Sequence, residues 1–151
     1  MGIDNTLAPW LGKTMKMIDN HIHDVFLDKN ICLTKIQWIV LKTLHKKNGV
    51  AQQELAFLTD RDKTSLTRLI NTMEKKGLVT RISSKLDRRI KNVHVTKKGE
   101  LLFNETLPVI EEIANSLQEN ISEEEIKKAI SVIKKVQNNI NQKSTTSCEC
   151  S

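Results

Sequence analysis

The chain has 151 residues, 38% hydrophobic and 28% charged, with only 5 glycines and 2 prolines, a balance that suits one mainly helical protein. No run approaches the ~18 apolar residues of a membrane span, and no basic-then-apolar leader opens the chain, so a cytoplasmic, non-membrane protein is expected. The net charge of +6 hides an asymmetry: residues 34–100 hold 16 Lys/Arg against 6 Asp/Glu, residues 1–33 hold 3 against 4, and residues 101–151 hold 5 against 8. A basic middle between acidic ends points to an anion-binding module set in a separate scaffold, with a well-solvated domain as the bland alternative.

Leu7, Leu11, Met15, Ile18, Ile22 and Val25 repeat at helical spacing and predict a first helix from about Thr6 to Leu27. Thr34 followed by Gln37 has the spacing of a capping box and opens a second helix. That helix is apolar over so much of its girth (Ile36, Trp38, Ile39, Val40, Leu41, Leu44) that several of its sides should be buried. Asn48-Gly49 ends it. Gln52 to Leu58 reads as a short helix, and Ala51 at its cap position predicts a frayed start. Thr59-Asp60-Arg61 makes a turn. Asp62 then caps a helix from Lys63 to Lys76, with Leu66, Leu69, Ile70 and Met73 inward and Gly77 as its C-cap.

After Gly77 the period changes to two, predicting a hairpin with its tip near Ser84 to Arg88. A second long helix follows from Thr96 or Lys97 to about Gln118, kinked at Pro108. Ser122 with Glu125 is another capping box, opening a last helix striped by Ile126, Ile130, Ile133 and Ile140. Residues 143–151 read as a polar, disordered tail.

The central order of helix, short helix, turn, helix and basic hairpin is that of a winged helix-turn-helix. The expected fold is therefore mainly α with a small β-hairpin: an N-terminal helix (1–33), a winged helix-turn-helix module (34–100) and C-terminal helices (101–142). The second helix of such a pair can enter a DNA major groove with its N-terminal residues at base edges. Here these are Lys63, Thr64, Ser65, Thr67 and Arg68. Polar residues covering a surface helix would look the same in isolation; the basic hairpin beside them favours double-stranded DNA as partner. The apolar stripes of the flanking helices exceed what a short central module can cover, so a homodimer is expected, with packing inside one chain as the alternative.

The run DRDKTSLTRLINTMEKKGLVTR (60–81), followed by DRRIKNVHVTKKG (87–99), resembles the MarR family of bacterial transcription regulators. The likeness lies in an Asp-basic-Thr-x-x-Thr-Arg-Leu start, a Glu-Lys-x-Gly-Leu-Val stretch, and an Asp-x-Arg wing closed by an apolar-x-apolar-Thr strand and a glycine. It extends over the flanking helices, about Thr6 to Ile140. The resemblance implies a two-fold dimer acting as a repressor, with recognition helices about one DNA turn (~34 Å) apart on a pseudo-palindromic site. It also implies that Arg89 enters the minor groove and that Asp87 orients it. A narrow minor groove concentrates negative potential, which favours an inserted guanidinium. Lys85 and Arg88 are then phosphate contacts, and Lys91 is a further DNA-binding candidate. The alternative is a winged-helix protein-interaction module without DNA binding, which has no need of Asp-x-Arg beside a basic helix.

Members of the family are often released from DNA by a small aromatic effector or by cysteine oxidation. Trp10, Phe26, Trp38 and Phe103 are candidates for lining a pocket, although large aromatics on apolar faces are more often core. Cys32, between the first two helices, is a candidate redox site but reads rather as a small buried cysteine. Cys148 and Cys150 form a C-x-C pair in the tail. His21 and His23 are two apart and cannot share a helix face, so no metal or other cofactor is expected. There is no Gly-rich phosphate loop, HExxH pair or nucleophile elbow, so the chain is read as a non-enzyme.

Overall fold

A computed structural model describes residues 2–146, with side chains through residue 144. After a short 3-10 turn at Ile3–Asn5 come α1 (Leu7–Asp28), α2 (Lys35–Lys46), β1 (Val50–Ala51), α3 (Gln52–Leu58), α4 (Lys63–Lys75), β2 (Val79–Ser83), β3 (Lys91–Val95), α5 (Lys97–Leu117) and α6 (Glu123–Thr146). The chain divides after Glu111 into two compact units, and α5 runs across the division.

Local signals place most of these boundaries. The Thr34 hydroxyl accepts from the Gln37 backbone N–H, and the Gln37 side chain accepts from the Thr34 N–H, so both arms of the capping box form. The Asp62 carboxylate accepts from the Ser65 N–H at 2.8 Å and starts α4. Between α3 and α4 the chain reverses at Asp60, which adopts a positive φ of 52°, a conformation short polar residues tolerate. Gly77 (φ 73°) ends α4: its N–H donates to Glu74 and that of Leu78 to Met73. Ser122 and Glu125 close the second capping box at the start of α6.

The sheet has three strands in the order β1-β3-β2, all antiparallel, where the sequence predicted two. The added strand is only two residues long, pairing Val50 with Val93 and Ala51 with Asn92. A strand that short carries no readable alternation. It also explains the lack of a side-chain cap at Ala51, which is held by the sheet.

Within the first unit the core is continuous. Leu41 and Leu44 of α2, Leu55 of α3, Leu66, Ile70 and Met73 of α4, and Val93 of β3 are fully buried, with Phe26, Trp38 and Phe103 in the same cluster. Trp38 stacks on Phe103 at 5.8 Å, and His45 covers the Phe103 ring at 4.6 Å. Gly99 is a close approach: a Cβ there would lie 2.2 Å from the Leu78 carbonyl oxygen, so no larger residue fits where α5 leaves the sheet.

Three expectations need correction. Trp10 is not core; it is 62% exposed, with its indole N–H donated to the Asp4 carbonyl. Cys32 is exposed rather than buried, because it lies in the turn before α2, outside the apolar contacts that begin at Leu33. Helix α6 continues to Thr146, into the segment read as tail, since nothing in INQKSTT breaks a helix. Cys148 and Cys150 lie outside the described residues. Pro108 sits inside α5, which continues on both sides of it.

Candidate nucleic-acid interface

Helix α4 buries Leu66, Ile70 and Met73, and this fixes which residues are left on its outer face. Lys63, Thr64 and Arg68 are exposed, and Ser65 and Thr67 are half-buried at the edges of the face. Neighbouring elements hold the two half-buried hydroxyls. Gln52, in the first turn of α3, donates its amide N–H to the Thr67 hydroxyl at 2.9 Å. Arg61, in the turn before α4, donates Nε–H to the Ser65 hydroxyl at 3.2 Å. Thr67 in turn donates to the Lys63 carbonyl. The first two turns of α4 thus carry an ordered row of hydroxyls flanked by cations.

The wing is built from β2, β3 and the turn between them. Ser84 N–H donates to the Ile90 carbonyl at 2.8 Å, and Ile90 N–H donates to the Asp87 carbonyl at 3.0 Å. The Asp87 carboxylate accepts from the Arg89 backbone N–H at 3.0 Å and from its Nε–H at 3.4 Å. Arg89 is nevertheless 94% exposed along its side chain, so the guanidinium is aimed outward while its base is tethered. An exposed ion pair of this kind adds little stability; its effect is to reduce the freedom of a long side chain that a partner would otherwise have to order. Lys85 and Arg88 are exposed on the same turn, and Lys91 donates to the Ser83 hydroxyl across the base of the wing.

Two clefts border these pieces. One, of about 240 Å³, is lined by Gln52 and Gln53 of α3, Lys63 of α4, and Arg89, Ile90 and Lys91 of the wing. It brings together cations from stretches far apart in sequence. The other, of about 460 Å³, runs along α4 beside Arg61, Thr64, Ser65, Arg68 and Thr72. Gln52, Gln53 and Arg61 were missed by sequence reasoning. Only the order of elements, which sets α3 and its following turn against α4, signals them.

The wing is also fixed to α4 from behind. The Glu74 carboxylate accepts from the Arg81 guanidinium at 3.0 Å and from the Arg81 backbone N–H at 3.1 Å. The guanidinium hydrogen bond holds the Glu74 carboxyl below its ordinary pKa, against a smaller opposing effect of desolvation.

The four aromatic candidates do not converge. Trp38 and Phe103 stack in the core, Trp10 is exposed, and Phe26 lines a cavity. That cavity, of about 390 Å³, is bounded by Asp19 and His23 of α1, by Leu33, Lys35 and Ile36 at the start of α2, and by Arg61. Lys35 pairs with Asp19 at its rim. No group of three or more His, Cys, Asp or Glu able to hold a metal occurs among the described residues. No described helix is long and apolar enough to cross a membrane.

Residues 33–91 match the model of the MarR family. Solved structures share the fold over nearly the whole chain. BpsR of Bordetella bronchiseptica, whose DNA binding is regulated by 6-hydroxynicotinic acid, is 19% identical with a TM-score of 0.82, over 91% of this chain and 96% of its own. CouR, a transcriptional repressor bound to a 23-mer DNA duplex, is 19% identical with a TM-score of 0.81, over 89% of this chain and 94% of its own. MepR of S. aureus, in a DNA complex, is 21% identical with a TM-score of 0.79, over 87% of this chain and 97% of its own. At such identities the structures speak for the fold, while the match over residues 33–91, which contains the first motif and the Asp-x-Arg start of the second, makes this part of the chain similar to the MarR family.

Proposed function

We propose that the protein is a dimeric, DNA-binding transcription repressor that reads a pseudo-palindromic site with two copies of α4 and two wings. The observation that carries this reading is the cleft in which Lys63 of α4 meets Arg89 and Lys91 of the wing. Such a junction suits a duplex backbone passing between a helix in the major groove and a wing over the adjoining minor groove. Thr64, Ser65, Thr67 and Arg68 face base edges and their flanking phosphates, Lys85, Arg88 and Lys91 contact phosphates, and Arg89 enters the minor groove with Asp87 holding its base. The DNA complexes of CouR and MepR, which share this fold, support the reading.

Release by a small aromatic acid is part of the proposal. The cavity beside Phe26 offers apolar walls with Lys35, His23 and Arg61 as partners for a carboxylate. Arg61 also borders the α4 cleft and donates to Ser65. An acid that draws the Arg61 guanidinium into the cavity removes the support of Ser65, in the first turn of α4. BpsR makes 6-hydroxynicotinic acid the first compound to try.

The test is a salt titration of binding to duplexes selected from a randomised pool. A protein neutralising six or more phosphates should lose roughly 10³-fold in affinity between 50 and 200 mM salt. A flat titration refutes the DNA reading and leaves the protein-interaction module in its place.

A further inference from the structure

The tip of the wing carries a residue that charge does not explain. Leu86 stands between Lys85 and Asp87 and is 100% exposed, more than any other large apolar side chain among the described residues. A single exposed leucine normally needs no account. This one sits at the apex of a basic turn, between Lys85 and Asp87, and that turn is ordered on both sides of it. The Leu86 backbone N–H donates to the Ser84 hydroxyl at 3.2 Å, and beyond it the Asp87 carbonyl and carboxylate accept from Ile90 and Arg89. Ser84 and Ile90 close the base of the turn. The fold therefore presents a leucine outward among the exposed cations Lys85, Arg88 and Arg89 of one braced tip.

We infer that Leu86 is an apolar wedge that enters DNA beside Arg89 and makes the wing sensitive to how easily a base step opens; the inference rests on the DNA reading above. Leucine has no hydrogen bond or charge to offer a phosphate. What it can contact is the face of a base or a sugar once a step in the minor groove has unstacked. Minor-groove proteins use apolar wedges in this way, accepting the cost of unstacking for a kinked duplex that meets more of their surface. Pyrimidine–purine steps unstack most readily, so the wedge reads deformability where Arg89 reads groove width and potential. Bracing by Ser84 and Asp87 lowers the ordering entropy such an insertion must overcome.

The experiment uses the full chain and selected duplexes with 2-aminopurine placed in turn at each step under the wing. The native protein should raise the fluorescence at one step. Replacing that pyrimidine–purine step by a stiff A-tract step should weaken its binding roughly tenfold. Leu86→Ser should abolish the fluorescence rise and the discrimination between the two duplexes, leaving the salt slope unchanged because no phosphate contact is lost. Leu86→Met should retain both. Full exposure of Leu86 means that the serine variant loses no packing, and circular dichroism checks that it folds. Salt-sensitive binding by the native protein, together with undiminished fluorescence and discrimination in Leu86→Ser, overturns the wedge while the DNA reading stands. Absence of salt-sensitive binding by the native protein overturns both.

Discussion

Helix α4 has 13 residues and buries Leu66, Ile70 and Met73 completely; α1 has 22 and buries only Phe26, near its end. The rest of the α1 stripe is not lacking in apolar character. Leu7, Trp10 and Met15 are exposed, and Leu11, Ile18 and Ile22 are half-covered. Helix α6 resembles α1, with no described side chain buried and Ile130, Ile133 and Ile140 exposed. The helix-turn-helix and sheet, with Phe26 of α1 and Phe103 of α5, therefore complete a core within one chain. The stripes of α1 and α6 have the period of packed helices without the cover, which is what a second copy of the chain would supply on the proposal above.

The largest effect should come from the region that is closed. Leu66→Ala removes a side chain with no exposed surface and should lower stability by about 2–5 kcal/mol, read from urea unfolding. The same experiment on Met15→Ala should change the unfolding of an isolated protomer by less than about 0.5 kcal/mol, because little is buried there. Equal losses at both positions would break the contrast between the two helices.

The open region should respond in assembly instead. Sedimentation of the native chain should give a species near twice 17.2 kDa at micromolar concentration. Replacing Leu7 and Met15 together by serine should weaken that association by roughly tenfold or more, while the spectrum of the folded protomer is kept. A native monomer would leave packing inside one chain, or another partner, to cover the stripes of α1 and α6. Arg89→Ala sharpens the contrast from the other side. It should weaken DNA binding by roughly tenfold or more in a gel-shift assay and leave the dimer intact, since the side chain bonds to Asp87 within its own turn.

Features with a local cause were readable in the sequence. The capping boxes at Thr34 and Ser122, the stop at Gly77 and the inward face of α4 depend on residues three or four apart, and all four form. Features set by distant partners were not. Strand β1 exists because Val93 pairs with Val50 across an intervening helix pair. The exposure of Trp10 depends on what lies opposite α1, about which its own heptad says nothing. The candidate interface divides in the same way. The outward row on α4 and the Asp-x-Arg turn follow from spacing and from the family motif, whereas Gln52 and Arg61 enter only when α3 and the following turn are set against α4.

The smallest expected effect tests the joint between α4 and the wing, where the family's Glu-Lys-x-Gly-Leu-Val stretch has a structural reason. Glu74 bonds both the guanidinium and the backbone N–H of Arg81, so one side chain fixes the first residues of β2 to the helix that would lie in the groove. The pair is partly exposed and screened, so Glu74→Gln should lower stability at pH 7 by only about 0.5 kcal/mol. The sign follows from linkage. Arg81 depresses the folded-state pKa of Glu74 below 4.5, so the native advantage is fully present above that value and is lost as pH falls through the lower, folded-state one. The stability curves of the native protein and of the Glu74→Gln variant should therefore converge in acid and separate towards neutrality. A constant gap across that range would mean that the hydrogen-bond geometry, which glutamine keeps only in part, matters at this joint and the charge does not. DNA affinity should fall in the same variant by more than the stability loss accounts for, because a wing free to tilt on α4 no longer presents Lys63 and Arg89 to one backbone.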